Sequence, residues 1–169
     1  MIYPIVKYGN PVLDKVAEPI TEFNEELEKL VADMWETMHA ASGVGLAAPQ
    51  IGISKSLCVI DISSGENPES KLVLVNPVIQ NREGKQESEE GCLSLPDFRA
   101  NTPRPEIVTV RAQNLKGEEI ILKGQGLLAR AFAHEIDHLN GILYIKHLRM
   151  LKRESIKRQI RRQVKAGTW

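Results

Sequence analysis

The sequence contains few of the residues that build disulfide frameworks or clusters of metal sites. Its 169 residues include only two cysteines, Cys58 and Cys92, and four histidines. A disulfide framework is therefore not expected, and a chain of this length can bury a hydrophobic core without one. Cys58 lies within an apolar run, and we interpret it as a small buried hydrophobic residue. We expect one domain that spans residues 1–169.

Long apolar runs are also absent, and so are the features of a leader peptide. No hydrophobic stretch approaches the length of a membrane span. Residues 1–7 lack the basic start, apolar core and small-residue cleavage site of a signal peptide. The hydrophobic content of 42% and the charged content of 26% are typical of soluble globular proteins. We therefore expect a cytoplasmic protein that does not act at a membrane.

The net charge is zero, but the charges are unevenly distributed. Residues 149–169 carry eight Lys and Arg against one Glu, whereas residues 1–148 carry 14 basic against 21 acidic side chains. The spacing of Ile156, Ile160 and Val164 predicts that this basic tail is an amphipathic helix. Such a tail meets a polyanion or packs on the acidic body of its own chain. Contact with ribosomal RNA and packing on the body both stay open, and DNA is not an expected partner.

The segment from His134 to His138, His-Glu-Ile-Asp-His, has the spacing of a metal site. Residues four apart lie on the same face of a helix, so both imidazoles can bind one ion. Glu135 follows the first histidine, where its carboxylate can act as a base on water at the metal without binding the metal. The alternative is a solvated helix face with two histidines. We favour the metal site, and Gly141 is predicted to end the helix.

A catalytic ion held by two histidines needs a third protein ligand. One class of zinc peptidase would have a histidine at position 144, which is Tyr144 here, and another uses a glutamate far downstream, but Glu154 is too close. The third ligand is therefore expected upstream, where the Cys92 thiolate is the candidate. We interpret His39 as a helix-end residue and His147 as structural or solvated.

Residues 43–52, Gly-Val-Gly-Leu-Ala-Ala-Pro-Gln-Ile-Gly, have small side chains where a core strand would have large ones. Small residues allow another molecule to approach the backbone, and Gln50 offers an amide with two donors. The segment lacks the Gly-Lys-Ser/Thr of a phosphate-binding loop, so nucleotide binding is not favoured. It is either a stretch along which a substrate lies or a flexible loop.

The remaining pattern predicts an α+β fold in which antiparallel β-strands surround the central metal-binding helix, with N-terminal and C-terminal helices outside. The N-terminal helix is predicted from the cap at Asn24 to near Ala41. Asn76 and Pro77 are expected to break the strand before them, after which residues 77–80 can continue in a new direction, and Cys92 is expected in a loop. The predicted strands are Leu57–Ile62, Lys71–Val75, Ile107–Gln113 and Glu118–Lys123, of which the last two form a hairpin.

Three motifs carry a family resemblance: GVGLAAPQ at residues 43–50, EGCLS at residues 90–94 and HEIDH at residues 134–138. With these motifs in this order, the chain resembles the peptide deformylases, and its basic helical tail resembles the bacterial type 1 form. The resemblance implies a metal-dependent hydrolase that removes the N-formyl group from the formyl-methionine of nascent polypeptides. It also implies Fe²⁺ in cells, although Zn²⁺, Ni²⁺ and Co²⁺ suit a Cys/His/His set.

The resemblance further implies the roles of individual residues. Glu135 takes and returns the proton as the formyl carbon is attacked. The Gln50 side-chain amide and the Leu93 backbone N–H stabilise the oxyanion. The implied metal ligands are Cys92, His134 and His138.

Substrate contacts also follow from the resemblance. An extended peptide would pair with the backbone around Gly43 and Gly45 as an added strand. Arg99 would lie near the peptide entrance, with a simple surface charge as the alternative. The candidates for the methionine pocket are Val44, Leu93, Leu127 and Ala131.

Two other functions remain open from the sequence. The helix could serve a metallopeptidase or another metal amidase, and a peptide assay that compares formyl-Met-Ala-Ser with acetyl-Met-Ala-Ser separates these. The chain could also be a metal-stabilised RNA- or ribosome-binding module without chemistry. Loss of turnover in Glu135→Gln separates that module from an enzyme.

Overall fold

The computed structural model describes all residues from 1 to 169, and it confirms an α+β fold of antiparallel sheets with three helices. The helices are α1 (Glu25–Ala40), α2 (Leu127–Leu139) and α3 (Met150–Ala166). The strands are β1 (Gly45–Ala47), β2 (Leu57–Ile60), β3 (Leu72–Glu83), β4 (Gln86–Cys92), β5 (Leu95–Arg104), β6 (Ile107–Gln113) and β7 (Glu119–Gln125). One sheet has the order β1-β2-β3-β6-β7, and β4 pairs with β5 in a second, two-stranded sheet. All pairings are antiparallel.

Helix α2 lies at the centre and contacts strands of both sheets. Its Phe132 and Ile136 are buried in one hydrophobic cluster with residues of β2, β3 and β6. Strand β7 approaches it closely at Gly124, where an added Cβ would lie 2.7 Å from Phe132 Cε2. Gly141 follows the helix with φ +74°, in the left-handed conformation that ends helices. The predicted end of the metal-binding helix is therefore confirmed.

Helix α1 begins where the sequence predicts. The Asn24 side chain accepts a hydrogen bond from the Leu27 N–H at 3.1 Å, which satisfies one of the free donors of the first turn. The buried face of the helix carries Val31, Met34 and Met38, which pack against the outer side of the large sheet. This helix closes the core on the side opposite α2.

The predicted break at Asn76 and Pro77 is wrong, but the chain does continue beyond them in an altered register. Strand β3 continues through both residues to Glu83, and its pairing with β6 shifts register between Val75 and Val78. A bulge accommodates the proline, which has no N–H to donate to the ladder. The Asn76 amide supports the bulge by donating to the Ile20 carbonyl oxygen at 2.8 Å.

The hairpin of β4 and β5 was not predicted, and Cys92 ends β4 rather than lying in a loop. The residues of β4 are mostly polar and give no hydrophobic alternation. Strand β5 does alternate, with Ala100, Thr102 and Arg104 buried, but two of these side chains are polar. Because many of the buried residues of this hairpin are polar or charged, the sequence does not show the hydrophobic alternation of a half-buried strand.

The basic tail forms the predicted helix, α3. Ile156 and Ile160 are buried in a cluster that also contains Leu95 of β5 and Tyr144. Val164, which was predicted to share their face, is 59% exposed, so the buried stripe is shorter than predicted. None of the helices combines the length and the apolar character needed to cross a membrane.

Candidate metal centre

Three side chains from two elements converge beside the centre of the fold. Cys92 ends β4, while His134 and His138 occupy successive turns of one face of α2. The Cys92 Sγ lies 3.3 Å from His138 Nε2, and the two Nε2 atoms lie 3.2 Å apart. These are the only His, Cys, Asp and Glu side chains grouped closely enough to hold a metal ion.

The spacing of these donor atoms fits one ion. A tetrahedral ion with nitrogen and sulfur ligands places its donors roughly 3.3–3.6 Å apart, close to the two distances measured. Burial, together with the neighbouring His134, holds the pKa of His138 well below its usual range. The imidazole is therefore neutral, the form that binds metals. Three protein donors leave the fourth position for a substrate or water, as in catalytic sites.

Glu90 fixes the orientation of His134. Its Oε2 accepts a hydrogen bond from His134 Nδ1 at 2.7 Å, which directs Nε2 toward the other two donors. Burial alone would lower the pKa of His134, but Glu135, Cys92 and Glu90 outweigh it and raise the value well above its usual range, so a bound ion would displace the Nε2 proton. Burial alone would raise the pKa of Glu90, but hydrogen bonds from His134 and Arg104 outweigh it and lower the value to about 2. Glu90 is therefore an ionised acceptor at all ordinary pH values.

Arg104 connects the two elements that supply the donors. Its guanidinium donates to both oxygens of Glu90, at 3.1 and 2.7 Å, and to Asp137 Oδ2 at 2.7 Å. Asp137 precedes His138 on α2, and it also pairs with His147 at 2.8 Å. Arg130 lies 3.3 Å from Glu90, which is the carboxylate partner that its burial on α2 requires.

Arg104→Met is expected to lower the free energy of unfolding by about 3–5 kcal/mol, because it removes the buried cation that Glu90 and Asp137 share. Urea unfolding of the two-state transition measures this change. Arg111→Met is the matched control, since Arg111 is half exposed and lies 3.7 Å from Glu119. Its loss should be about 0–1 kcal/mol. Equal losses in the two variants would contradict a structural role for the buried pair.

Glu135 lies beside the three donors but is not one of them. It is 4% exposed, and its Oε1 has no hydrogen-bond partner in the protein. Burial raises the pKa of Glu135 to about 7, in the range of a base that works near neutral pH. Gly45 of β1 faces it so closely that an added Cβ would lie 2.9 Å from Glu135 Cδ. A side chain at position 45 would therefore displace the carboxylate.

Gln50 and Leu93 supply two hydrogen-bond donors near Cys92. The Gln50 Oε1 accepts from the Ala47 N–H at 3.0 Å, which directs the amide nitrogen toward Ser94 Oγ at 3.2 Å and Cys92 Sγ at 3.6 Å. The Leu93 N–H donates to no other group of the protein. Both donors are thus oriented by the fold before any substrate enters.

A cavity of about 560 Å³ opens in front of these groups. Leu127 and Arg99 are exposed there, and Arg99 Nε pairs with Glu89 at 2.8 Å. His138 lies behind the cavity wall and is 1% exposed. The other site residues predicted from the sequence all line the cavity: Val44, Gly45, Gln50, Cys92, Leu93, Arg99, Leu127, Ala131, His134 and Glu135.

Sequence reasoning missed Glu90, Arg104 and Asp137. Glu90 had one signal, since it begins the EGCLS motif. Arg104 had none, because its place between two carboxylates depends on strand register. His39 lies 3.6 Å from Asp61 and, like His147, is outside the metal donor group.

Residues 2–154 match the family model described as polypeptide deformylase. The chain belongs to the polypeptide deformylase family. A peptide deformylase of Acidobacterium capsulatum is 61% identical over 169 residues, which cover 100% of this chain and 99% of that protein.

Solved deformylase structures share the whole fold. The peptide deformylase of Legionella pneumophila is 42% identical, with a TM-score of 0.91 over 99% of this chain and 98% of that chain. The enzyme of Thermus thermophilus is 43% identical, with a TM-score of 0.89 over 99% of this chain and 98% of that chain. This deformylase is therefore a metal-dependent hydrolase that removes the N-formyl group from the formyl-methionine of nascent polypeptides.

Proposed function

We propose that Cys92, His134 and His138 hold one divalent metal ion and that the cavity before them is the deformylation site. The observation that carries this proposal is the convergence of a thiol and two imidazole nitrogens within 4.8 Å of one another beside a buried, unpartnered carboxylate oxygen. When bound, the ion would supply Lewis-acid chemistry, which polarises a carbonyl oxygen and makes water more acidic.

Glu135 is the general base and acid of this proposal. Its unpartnered Oε1 is free to accept a proton from the attacking water, and its raised pKa lets it release that proton near neutral pH. The proton then passes to the amine that leaves the formyl group. Gly45 supports this role because its lack of a side chain leaves room for the carboxylate.

Gln50 and Leu93 are the proposed oxyanion donors. The tetrahedral intermediate carries negative charge on the former formyl oxygen, and fixed donors stabilise that charge without reorganising. The Gln50 amide is fixed through Ala47 and Ser94, and the Leu93 N–H has no competing acceptor in the protein. These contacts support a site formed before substrate binds.

The remaining lining residues are proposed to bind the peptide. Gly45 lies at the edge of the large sheet, since β1 is its outermost strand, so an extended peptide can add to that edge. Arg99 lies at the exposed rim, where a guanidinium can contact the peptide beyond its methionine. The methionine side chain is proposed to contact Val44, Leu93, Leu127 and Ala131.

The peptide assay tests the reaction directly. The metal-loaded enzyme should release formate from formyl-Met-Ala-Ser and leave acetyl-Met-Ala-Ser intact, because the extra methyl group of the acetyl carbon crowds a site built around Gly45. The internal peptide bonds of a peptide without a formyl group should also stay intact. Cleavage only of the internal bond would show that the cavity serves a peptidase instead.

The basic face of α3 is proposed to contact ribosomal RNA near the site where nascent chains emerge. Its inner residues Ile156 and Ile160 pack on the body, so the tail is anchored, while its basic side chains remain free on the outer face. The exposed basic residues are Lys152, Arg158, Arg161, Arg162 and Lys165. We also propose that residues 1–169 act as one domain in the cytoplasm, where formyl-methionyl chains are made.

Neutralising three of these side chains, in Arg158→Gln/Arg162→Gln/Lys165→Gln, is expected to weaken cosedimentation with ribosomes. The slope of the logarithm of the binding constant against the logarithm of the salt concentration should also become shallower by up to about three, since fewer counterions are released. Deletion of the helix is the poorer experiment because it would expose the cluster around Ile156. Triple substitution of basic residues on the body, Lys85→Gln/Lys116→Gln/Lys123→Gln, is the control. Unchanged binding in the tail variant would remove the proposed contact.

A further inference from the structure

A short segment near the start of the chain crosses the two loops that hold the proposed oxyanion donors. The Val6 N–H donates to the Gln50 carbonyl oxygen at 2.8 Å, and the Tyr8 N–H donates to the Ser94 carbonyl oxygen at 2.9 Å. Ser94 directly follows Leu93, whose N–H is the second donor. We call residues Val6–Tyr8 the strap. The strap therefore ties the backbone of one donor loop to the backbone of the other.

Trp169 holds the strap from its outer side. Its indole Nε1–H donates to the Tyr8 carbonyl oxygen at 2.9 Å. Its ring lies against Phe98, with centroids 6.1 Å apart, and the Lys7 ammonium lies 5.8 Å from the ring centroid. Three contacts of different kinds thus fix one half-buried side chain, and one of them is a hydrogen bond to the backbone of the strap.

The path of the chain after α3 explains how Trp169 reaches the strap. Ile156 and Ile160 fix the helix against β5, and Gly167 has φ +73°, a left-handed conformation that reverses the chain at the helix end. Trp169 packs on the same cluster as Cys92 and Phe98. A residue distant in sequence from every predicted site residue is therefore built into the support of the site.

We propose that Trp169 is a positioning residue that keeps the Gln50 amide and the Leu93 N–H directed at one point by holding the strap across their loops. This inference rests on the oxyanion role proposed above. Donors that are fixed in advance stabilise the transition state because they do not reorganise during the reaction, and small displacements of such groups are costly. Loosening the strap should therefore slow the chemical step rather than weaken substrate binding.

The test compares Trp169→Ala and Trp169→Phe in the metal-loaded enzyme with formyl-Met-Ala-Ser. Trp169→Ala should lower kcat about tenfold, a fraction of the roughly 10²–10³ that loss of an oxyanion donor costs, and leave KM unchanged. Trp169→Phe should recover part of kcat because it keeps a ring against Phe98 but loses the N–H donor. Val164→Ala, an exposed position on the same helix, is the control and should keep full activity.

Two further measurements separate positioning from a general structural effect. In a Gln50→Ala background, Trp169→Ala should lower kcat by a smaller factor than in the parent enzyme, because only the Leu93 N–H then remains to be displaced and residues that act through a shared group are not additive. Amide hydrogen exchange at Val6 and Tyr8 should be faster in Trp169→Ala. A lower melting temperature with unchanged kcat, a raised KM with unchanged kcat, or full additivity with Gln50→Ala would each overturn the inference. An unchanged kcat in Gln50→Ala alone would instead remove the proposed role of Gln50.

Discussion

Glu135→Gln is expected to lower kcat for formyl-Met-Ala-Ser on the order of 10²–10⁴-fold, the range that one positioned general base contributes. The amide has nearly the shape of the carboxylate, but it cannot accept a proton from water and return it to the leaving amine. The buried site should tolerate it well, since burying a neutral side chain costs less than burying a carboxylate.

The metal content and the fold should therefore not change in Glu135→Gln, because the side chain is not among the three donors. Metal analysis and urea unfolding check these points beside the kinetics. Glu87→Gln is the matched control, since Glu87 is exposed on β4 and is not among the residues that line the cavity. Full activity in Glu135→Gln would mean that another group moves the proton. Loss of metal would mean that the carboxylate is a ligand.

Cys92→Ser is expected to abolish activity because it weakens metal binding. Proton transfer by Glu135 is not the step that this change affects. Loss of a group that only orients a ligand costs about 10–100-fold in metal affinity, and loss of the ligand itself should cost at least as much. Serine keeps the size of the side chain but replaces a thiolate with a neutral hydroxyl, a poor partner for a first-row ion. Competition with a chelator measures the affinity directly.

Cys58→Ala removes the other thiol of the chain and serves as the control. Cys58 is fully buried in β2, and burial raises the pKa of its thiol well above the usual value, so it is not a thiolate available to a metal. Metal affinity should be unchanged in this variant. Equal affinity in Cys92→Ser and the parent enzyme would exclude Cys92 as a ligand, whatever the activity of the variant.

Fe²⁺, the ion that the family resemblance implies, is tested with enzyme preparations of known metal content. We expect the anaerobically purified iron enzyme to be more active than the zinc enzyme and to lose activity in air, because a thiolate beside a redox-active ion is open to oxidation. The nickel and cobalt enzymes extend the comparison. Equal activity and equal lifetime of the iron and zinc enzymes would remove the iron assignment.

The buried charges around Glu90 show why part of the site could not be predicted from the sequence. Glu90 and Arg104 lie on paired strands whose side chains are mostly polar, and a polar strand gives no hydrophobic alternation by which to recognise it. The buried side of this hairpin is held by ion pairs instead of by apolar packing. Arg104 pairs with Asp137 of α2, and Glu90 pairs with Arg130 of α2. Hydrophobic periodicity therefore predicts a loop where the structure has this hairpin.

The sequence by itself determined the helical half of the proposed metal centre and the position of its proposed base. The four-residue spacing of His134 and His138 is a local property of any helix, and Glu135 is carried with it. The motif order was also sufficient for the family, because each motif is a continuous run of residues.

Only the tertiary structure decided how the other half meets this helix. Cys92 reaches His138 across 46 residues through the β4–β5 hairpin, and Arg104 joins Glu90 to Asp137 through strand register. Trp169 reaches Tyr8 across 161 residues because α3 packs on β5. Such contacts depend on how whole elements pack, and the physical reason they escape prediction is that no local spacing of residues encodes a long-range register.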